Sequence, residues 1–309
     1  MILTVCANPS VDSFWSIHQL KKGITNRSQK EVFYPGGKGV HVAFALKELG
    51  KKVNVLGIWG GQTGKWIKEK CTEKDITAIG PDVEEWTRIC ITAQSTSDWN
   101  ETELLGSGPT INANEAGSFA TSYQKFVKEN EPEAVIISGS VPRGFDDAIY
   151  SELVSFANEF NIPCFVDATG PLLKQALKAK PFSVHINQHE GKALCGKDEP
   201  AEIARWLSDF CDVAAVTAGA GGLYLWLGDK LFHASYALSS SEIISTVGSG
   251  DCLLAGLASA ISDKENPAHC AKYAAACGTA NCIHPELGML RSRDVNAIFK
   301  KVKLEEIEV

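Results

Sequence analysis

The sequence predicts an α/β fold: a mostly parallel sheet covered by helices on both faces, with a small second sheet set apart from it. Three patterns carry this expectation. From about residue 114 onward, short apolar runs of strand length alternate with segments of helical spacing, as parallel strands joined by crossover helices require. Turn-forming motifs follow those runs, on the side where open α/β sheets gather their ligands. Two stretches, 12–34 and 83–111, instead alternate polar and apolar residues and suit strands with one exposed face.

The chain has 309 residues, enough to bury a large core in one domain with an appendage or in two domains. Its net charge of -7 argues against a broad nucleic-acid footprint or an anionic membrane surface, so an anionic partner must be a small molecule met by a few local cations. Ten cysteines without a CxxC pair, and a start on the strand-like Ile2-Leu3-Thr4-Val5-Cys6, point to a reduced cytoplasmic protein and away from a structural zinc site. No apolar run approaches bilayer length.

Residues 2–6 read as a buried strand ended by Ala7-Asn8-Pro9-Ser10, which delivers Asp12 to a ligand-facing edge. The first alternating stretch follows, and then Pro35-Gly36-Gly37-Lys38-Gly39 opens a helix marked by Val42, Ala45, Leu46 and Leu49 and stopped by Gly50. Lys38 and His41 share a face of its first turn, either toward a ligand admitted by the glycines or toward solvent. After a strand at 53–58 comes the second alternating stretch, which includes Thr87-Arg88 and the segment from Trp99 and Asn100 to Leu105, and which pairs with the first. Helices at 114–129, 146–160, 171–178 and 199–209 then alternate with strands at 134–138, 163–167, 183–186 and 213–217. A hairpin over 223–236 turns at Gly228-Asp229, and helices near 251–262, 267–282 and 294–301 close the chain.

The decisive stretch is Thr246-Val247-Gly248-Ser249-Gly250-Asp251, ahead of the apolar run from Cys252. A helix opening on Gly-Ser-Gly presents unpaired N–H groups and the positive end of its dipole to an anion. Asp251 then either caps the helix or takes a proton from an attacking hydroxyl, the use that makes a carboxylate beside an anion worthwhile.

In their set and order these motifs resemble the ribokinase-like (PfkB) family of carbohydrate kinases, over nearly the whole chain. The residues concerned are NPSVD at 8–12, GGKGVHVA at 36–43, SGSVPRG at 138–144, NQHE at 187–190 and TVGSGD at 246–251. Asn26-Arg27 and Thr87-Arg88 make the chain most similar to the 1-phosphofructokinase and tagatose-6-phosphate kinase branch. The resemblance implies a three-layer α/β/α core over 1–11, 35–82 and 112–309, with a β-lid at 12–34 and 83–111 that also forms a homodimer contact. It implies ATP with Mg²⁺, Asp251 as base, and Gly248, Ser249 and Gly250 as the anion hole. The sugar-phosphate residues it implies are Asp12, Arg27, Gly36, Gly37, Lys38, His41, Arg88 and Ser138. On the nucleotide side it implies His185, Asn187, Thr217, Gly219, Gly222 and Asn281, with Glu190 ordering the metal.

Several positions depart from the branch: His41 and Cys90 stand where asparagines are usual and His185 where a lysine is usual, with Ser249 for alanine and Arg143 for proline as milder changes. An imidazole or a thiol cannot reproduce an amide's paired donor and acceptor, so the hydroxyl pattern read in the sugar should differ. A kinase of an unphosphorylated sugar or polyol is the nearest alternative. A non-catalytic sugar-phosphate sensor is another, opposed by the intact GSGD.

Overall fold

The computed structural model describes residues 1–96 and 101–308, so Trp99 and Asn100 of the second alternating stretch lie outside the described residues. Its centre is a ten-stranded sheet in the spatial order Thr77–Ile79, Val53–Gly57, Ile2–Cys6, Ala134–Ser138, Cys164–Asp167, Ser183–Asn187, Val213–Thr217, Leu223–Leu227, Lys230–Ser235 and Lys303–Ile307. Neighbours run parallel as far as Val213–Thr217 and antiparallel beyond it. The inner strands are apolar throughout because both faces are covered. Ile2–Cys6 is wholly buried, with Ile2 and Cys6 in one core and Leu3 and Val5 in the other. Helices Lys38–Glu48, Ser249–Ser262 and Pro267–Cys282 pack on the Ile2 side, and Ala113–Asn130, Ile149–Glu159, Gly170–Lys178 and Pro200–Leu207 on the other. The expected three layers are present.

The two alternating stretches form a separate four-stranded sheet in the order Lys30–Gly36, Ser10–Ile17, Arg88–Ser95 and Glu101–Leu105. Ser10–Ile17 runs parallel to Arg88–Ser95, which sets Ser10 opposite Arg88 and Asp12 opposite Cys90. Asp12 thus belongs to a strand of this small sheet rather than to the core strand's edge, because the chain turns at 7–9 and resumes pairing at once. Lys30–Gly36 leads straight into the helix that begins at Lys38, so the small sheet and the core meet at the glycines between them.

Among the elements that went unanticipated are helices Gly61–Glu73 and Gln188–Cys195 and both edge strands, Thr77–Ile79 and Lys303–Ile307. Each buries too little to leave an apolar pattern. In Gly61–Glu73 only Gly64, Ile67 and Cys71 are buried, and in Gln188–Cys195 only Gly191. Among the described residues no helix is long and apolar enough to cross a membrane.

Candidate active site

The carboxyl ends of adjacent core strands bring Ser138 opposite Asp167 and Asn187 opposite Thr217. Helix Ser249–Ser262 points its N-terminus at this edge. Gly248 precedes it with φ 83°, and a Cβ there would lie 2.3 Å from the Cα of Gly288. Only glycine meets both conditions. The Ser249 N–H donates to the Thr246 carbonyl at 3.1 Å, whereas among the described residues the Gly248 and Gly250 N–H groups have no backbone acceptor. Those two groups, with the helix dipole, are what an anion would meet.

Asp251 does not cap its helix, which has no side-chain cap. The carboxylate is buried, and its Oδ2 lies 2.9 Å from His41 Nδ1. On the other side of the same ring, His41 Nε2 lies 3.1 Å from Asp12 Oδ2, a charge contact whose N–H is off the hydrogen-bond line. The Ser10 hydroxyl donates to Asp12 Oδ1 at 2.6 Å. A Cβ on Gly36 would fall 2.1 Å from Asp12 Oδ2, so that glycine exists to admit the carboxylate. Burial alone would push the His41 ring down, but the two carboxylates of Asp12 and Asp251 beside it outweigh burial and raise it to about 10. For Asp12 burial acts upward and His41 more than reverses it, leaving the carboxyl below its ordinary value. For Asp251 burial prevails over His41 and Lys38, and the carboxyl is raised.

A second group stands beside the first. Lys38 Nζ donates to Asp167 Oδ1 at 2.6 Å, and His185 Nδ1 lies 3.0 Å from Asp167 Oδ2. Burial pushes Asp167 up, but the Lys38 ammonium and His185 hold it well below the usual carboxylate range. Lys38 moves up for the same reason against its own burial, while its side chain remains 41% exposed and able to reach a ligand. His185 Nε2 is buried without a partner, and its ring would sit 3.0 Å from a Cβ on Gly250, so it borders the anion site. The Ser138 hydroxyl is likewise buried and unpartnered. Asp167 was missing from the sequence-derived site, where it showed only as an Asp closing a strand.

The residues expected on the nucleotide side are placed less tightly. Asn187 and Glu190 form a capping box for Gln188–Cys195, with the Glu190 N–H donating to Asn187 Oδ1 at 2.9 Å and the Asn187 N–H to Glu190 Oε2 at 2.8 Å. Glu190 Oε1 stays available. No cluster of three or more His, Cys, Asp or Glu suited to a metal occurs among the described residues. Thr217 and Gly219 lie at the same strand edge, and Gly222 closes that turn against the Ala234 carbonyl. Asn281 is buried and donates from Nδ2 to the Met289 carbonyl at 2.9 Å, so it anchors the loop that presents Gly288; its Oδ1 has no partner.

On the small sheet, Arg88 is half-buried with Nη1 3.4 Å from the Gly106 carbonyl and Nε unpartnered. Its charge acts on Asp12. Arg27 is exposed, and among the described residues no hydrogen bond or ion pair ties it to the group. Gly37 packs against Cys6 and Pro9 at the start of the Lys38 helix. A surface groove of about 940 Å³ between Trp59, Lys65, Lys68 and Asp82 is lined by none of these residues.

The family model described as "pfkB family carbohydrate kinase" matches residues 8–289. The chain belongs to this family. As a pfkB-family kinase it is a phosphotransferase acting on a sugar hydroxyl. It is 28% identical to a tagatose-6-phosphate kinase of Staphylococcus epidermidis, over 99% of this chain and all of that one. Among solved structures it is similar to a possible 1-phosphofructokinase of Thermotoga maritima, with TM-score 0.88, 25% identity and complete coverage of both chains. The phosphofructokinase-2 of Escherichia coli, crystallised with substrates and products, shares the fold at TM-score 0.87 and 23% identity, over 97% of this chain and 98% of that one. These pfkB-family neighbours match the core and the small sheet together.

Proposed function

We propose that this kinase transfers a phosphoryl group from ATP to a hydroxyl of a phosphorylated hexose, a ketose in preference to an aldose. The observation that carries the reading is Asp251: a buried carboxylate at a helix N-terminus with open N–H groups, held on one oxygen by His41 and so left with Oδ1 for a substrate proton. Oδ1 takes the hydroxyl proton, while the Gly248 and Gly250 N–H groups and Lys38 stabilise charge on the transferred group. Asp12 and Ser138 orient the sugar, and Arg88 meets its existing phosphate. Thr217, Gly219, Gly222 and the unpartnered groups of His185 and Asn281 border the nucleotide. Glu190 and Asn187 would hold Mg²⁺ beside ATP, which would supply the phosphoryl group while the metal would neutralise the charge of its phosphates. The similarity to a tagatose-6-phosphate kinase supports the phosphohexose class.

In this reading residues 12–34 and 83–111 are a lid on the core. The exposed Phe33, Ile89 and Leu104 share one face of the small sheet, the surface through which two copies would pair. The unpaired state of all ten cysteines suits the reducing cytoplasm. The test is ADP release across hexose phosphates, ketose phosphates, free sugars and nucleosides. A charge-assisted bond of roughly 1.5–3 kcal/mol from Arg88 predicts kcat/KM for a ketose phosphate about one to two decades above that for the free sugar. Equal values for the two would transfer the assignment to free-sugar kinases, and turnover of neither would support a sensor.

A further inference from the structure

Asp12 and Asp251 are separated by a single imidazole ring, and each faces one of its nitrogens. We infer that His41 works as an imidazolium that aims Asp251, keeps it ionised for proton removal and ties its state to the sugar-facing Asp12. The inference rests on the reading of Asp251 as the base and adds a positioning residue to it.

Geometry selects the charged ring. A neutral imidazole carries one N–H and one lone pair, so whichever carboxylate received the proton, the other would confront a lone pair at about 3 Å. Nδ1 is hydrogen-bonded to Asp251 at 2.9 Å, and Nε2, although its N–H is off the hydrogen-bond line, faces the Asp12 carboxylate at 3.1 Å, a charge contact that a lone pair there would make repulsive. The Gly288 backbone closes on the ring, since a Cβ there would lie 2.2 Å from His41 Cγ, and Gly248 stands beside it. Burial then makes the pairing costly to undo, since an isolated buried carboxylate would neutralise instead. The raised His41 ring agrees with this.

Other groups face the same site and bear on its pH response. Lys38 and Asp167 act on Asp251, Arg88 acts on Asp12, and His185 borders Gly250. The thiols of Cys6 and Cys252, also near Asp251, are pushed up by burial and stay neutral. Of these groups, His41 alone touches the base, so its removal should leave Asp251 harder to ionise. The usual asparagine of the family can bond the carboxylate but cannot supply charge.

Two measurements on the full chain test the inference. In ¹⁵N-histidine spectra, the ring assigned by comparison with His41→Asn should stay doubly protonated from pH 6 to about 9 and respond when a sugar phosphate is added. Loss of its second proton below pH 7 overturns the inference. In the pH profile of kcat/KM, His41→Asn should move the acid limb upward by about one to three units, the effect of removing a cation in contact with a carboxyl, with KM for ATP unchanged. An unmoved limb also overturns it. If His41→Asn does not fold, His41→Gln replaces it in both experiments. Asp251→Asn separates the two levels: an active variant refutes the base itself, whereas an inactive one with an unmoved His41→Asn limb refutes only the role of His41.

Discussion

His41 and Asp251 stand 210 positions apart and within hydrogen-bond distance, which shows both the reach and the limit of the sequence. Asp251, Lys38 and Gly36 were legible because each lies inside a short motif whose spacing already implies a helix start. The substitution at His41 was visible too, but its contact with Asp251 was not, since that depends on how two helices pack. Asp167 escaped because nothing in Asp167-Ala168-Thr169-Gly170 distinguishes a strand-closing turn from an ion-pair hub. A stability prediction follows from the raised His41 ring. A group whose folded value is raised stabilises fully below its unfolded value and loses that contribution as pH rises through the folded one. For His41 the window runs from 6.5 to about 10. The buried thiols of Cys6 and Cys270, raised from 9.0 to about 11, lose stability in the same direction but only above 9. Between pH 6.5 and 9, therefore, Tm of the wild type should fall more than that of His41→Asn; equal slopes would contradict the imidazolium. For the sugar phosphate, Arg88→Ala should raise KM about tenfold or more, as losing one charge-assisted bond implies. KM for ATP should hardly change, and equal effects on both substrates would place Arg88 outside the sugar site.

Elements that bury a full stripe or both faces were readable, whereas those resting on a few contacts were not. The strands 134–138 and 213–217 and the helix 267–282 appear within the expected bounds, because continuous apolar runs and alanine-rich helical spacing leave few alternatives. Gly61–Glu73 carries two glycines and a surface of lysine and glutamate, so its apolar positions are too sparse to show a period. The loop after Pro267–Cys282 is an element of the site in its own right. Asn281 pins it through Met289, and Gly288 presses its backbone on His41 with φ 65°. Gly288→Ala would face both the left-handed backbone and a 2.2 Å collision, whereas Gly50→Ala, at φ 82° with open space around it, meets only the first. The expected outcome is a loss above about 1 kcal/mol at both sites, larger at Gly288 and accompanied there by reduced kcat. If denaturant unfolding and turnover show the two variants to be equivalent, Gly288 does not buttress the site.

Across the whole molecule, the core sheet and the small sheet converge at Gly36 and Gly37, where the strand Lys30–Gly36 leads into the Lys38 helix. Alternation along 12–34 and 83–111 made the small sheet legible, but not its outer neighbour, because an exposed apolar face looks the same whether it meets solvent or another chain. If two lids pair, Leu104→Lys should convert a dimer to a monomer in light scattering; a wild type that is already monomeric would remove the lid contact. Everything in the fold nevertheless points at one carboxylate. Asp251→Asn is nearly isosteric and cannot accept a proton, so the measurement that bears most directly on the mechanism is its kcat beside its affinity for ATP. A drop in kcat of about 10²–10⁴, the usual contribution of a positioned base, with ATP still bound at nearly wild-type affinity, is the predicted result. A variant that binds ATP and keeps most of the wild-type kcat would contradict it.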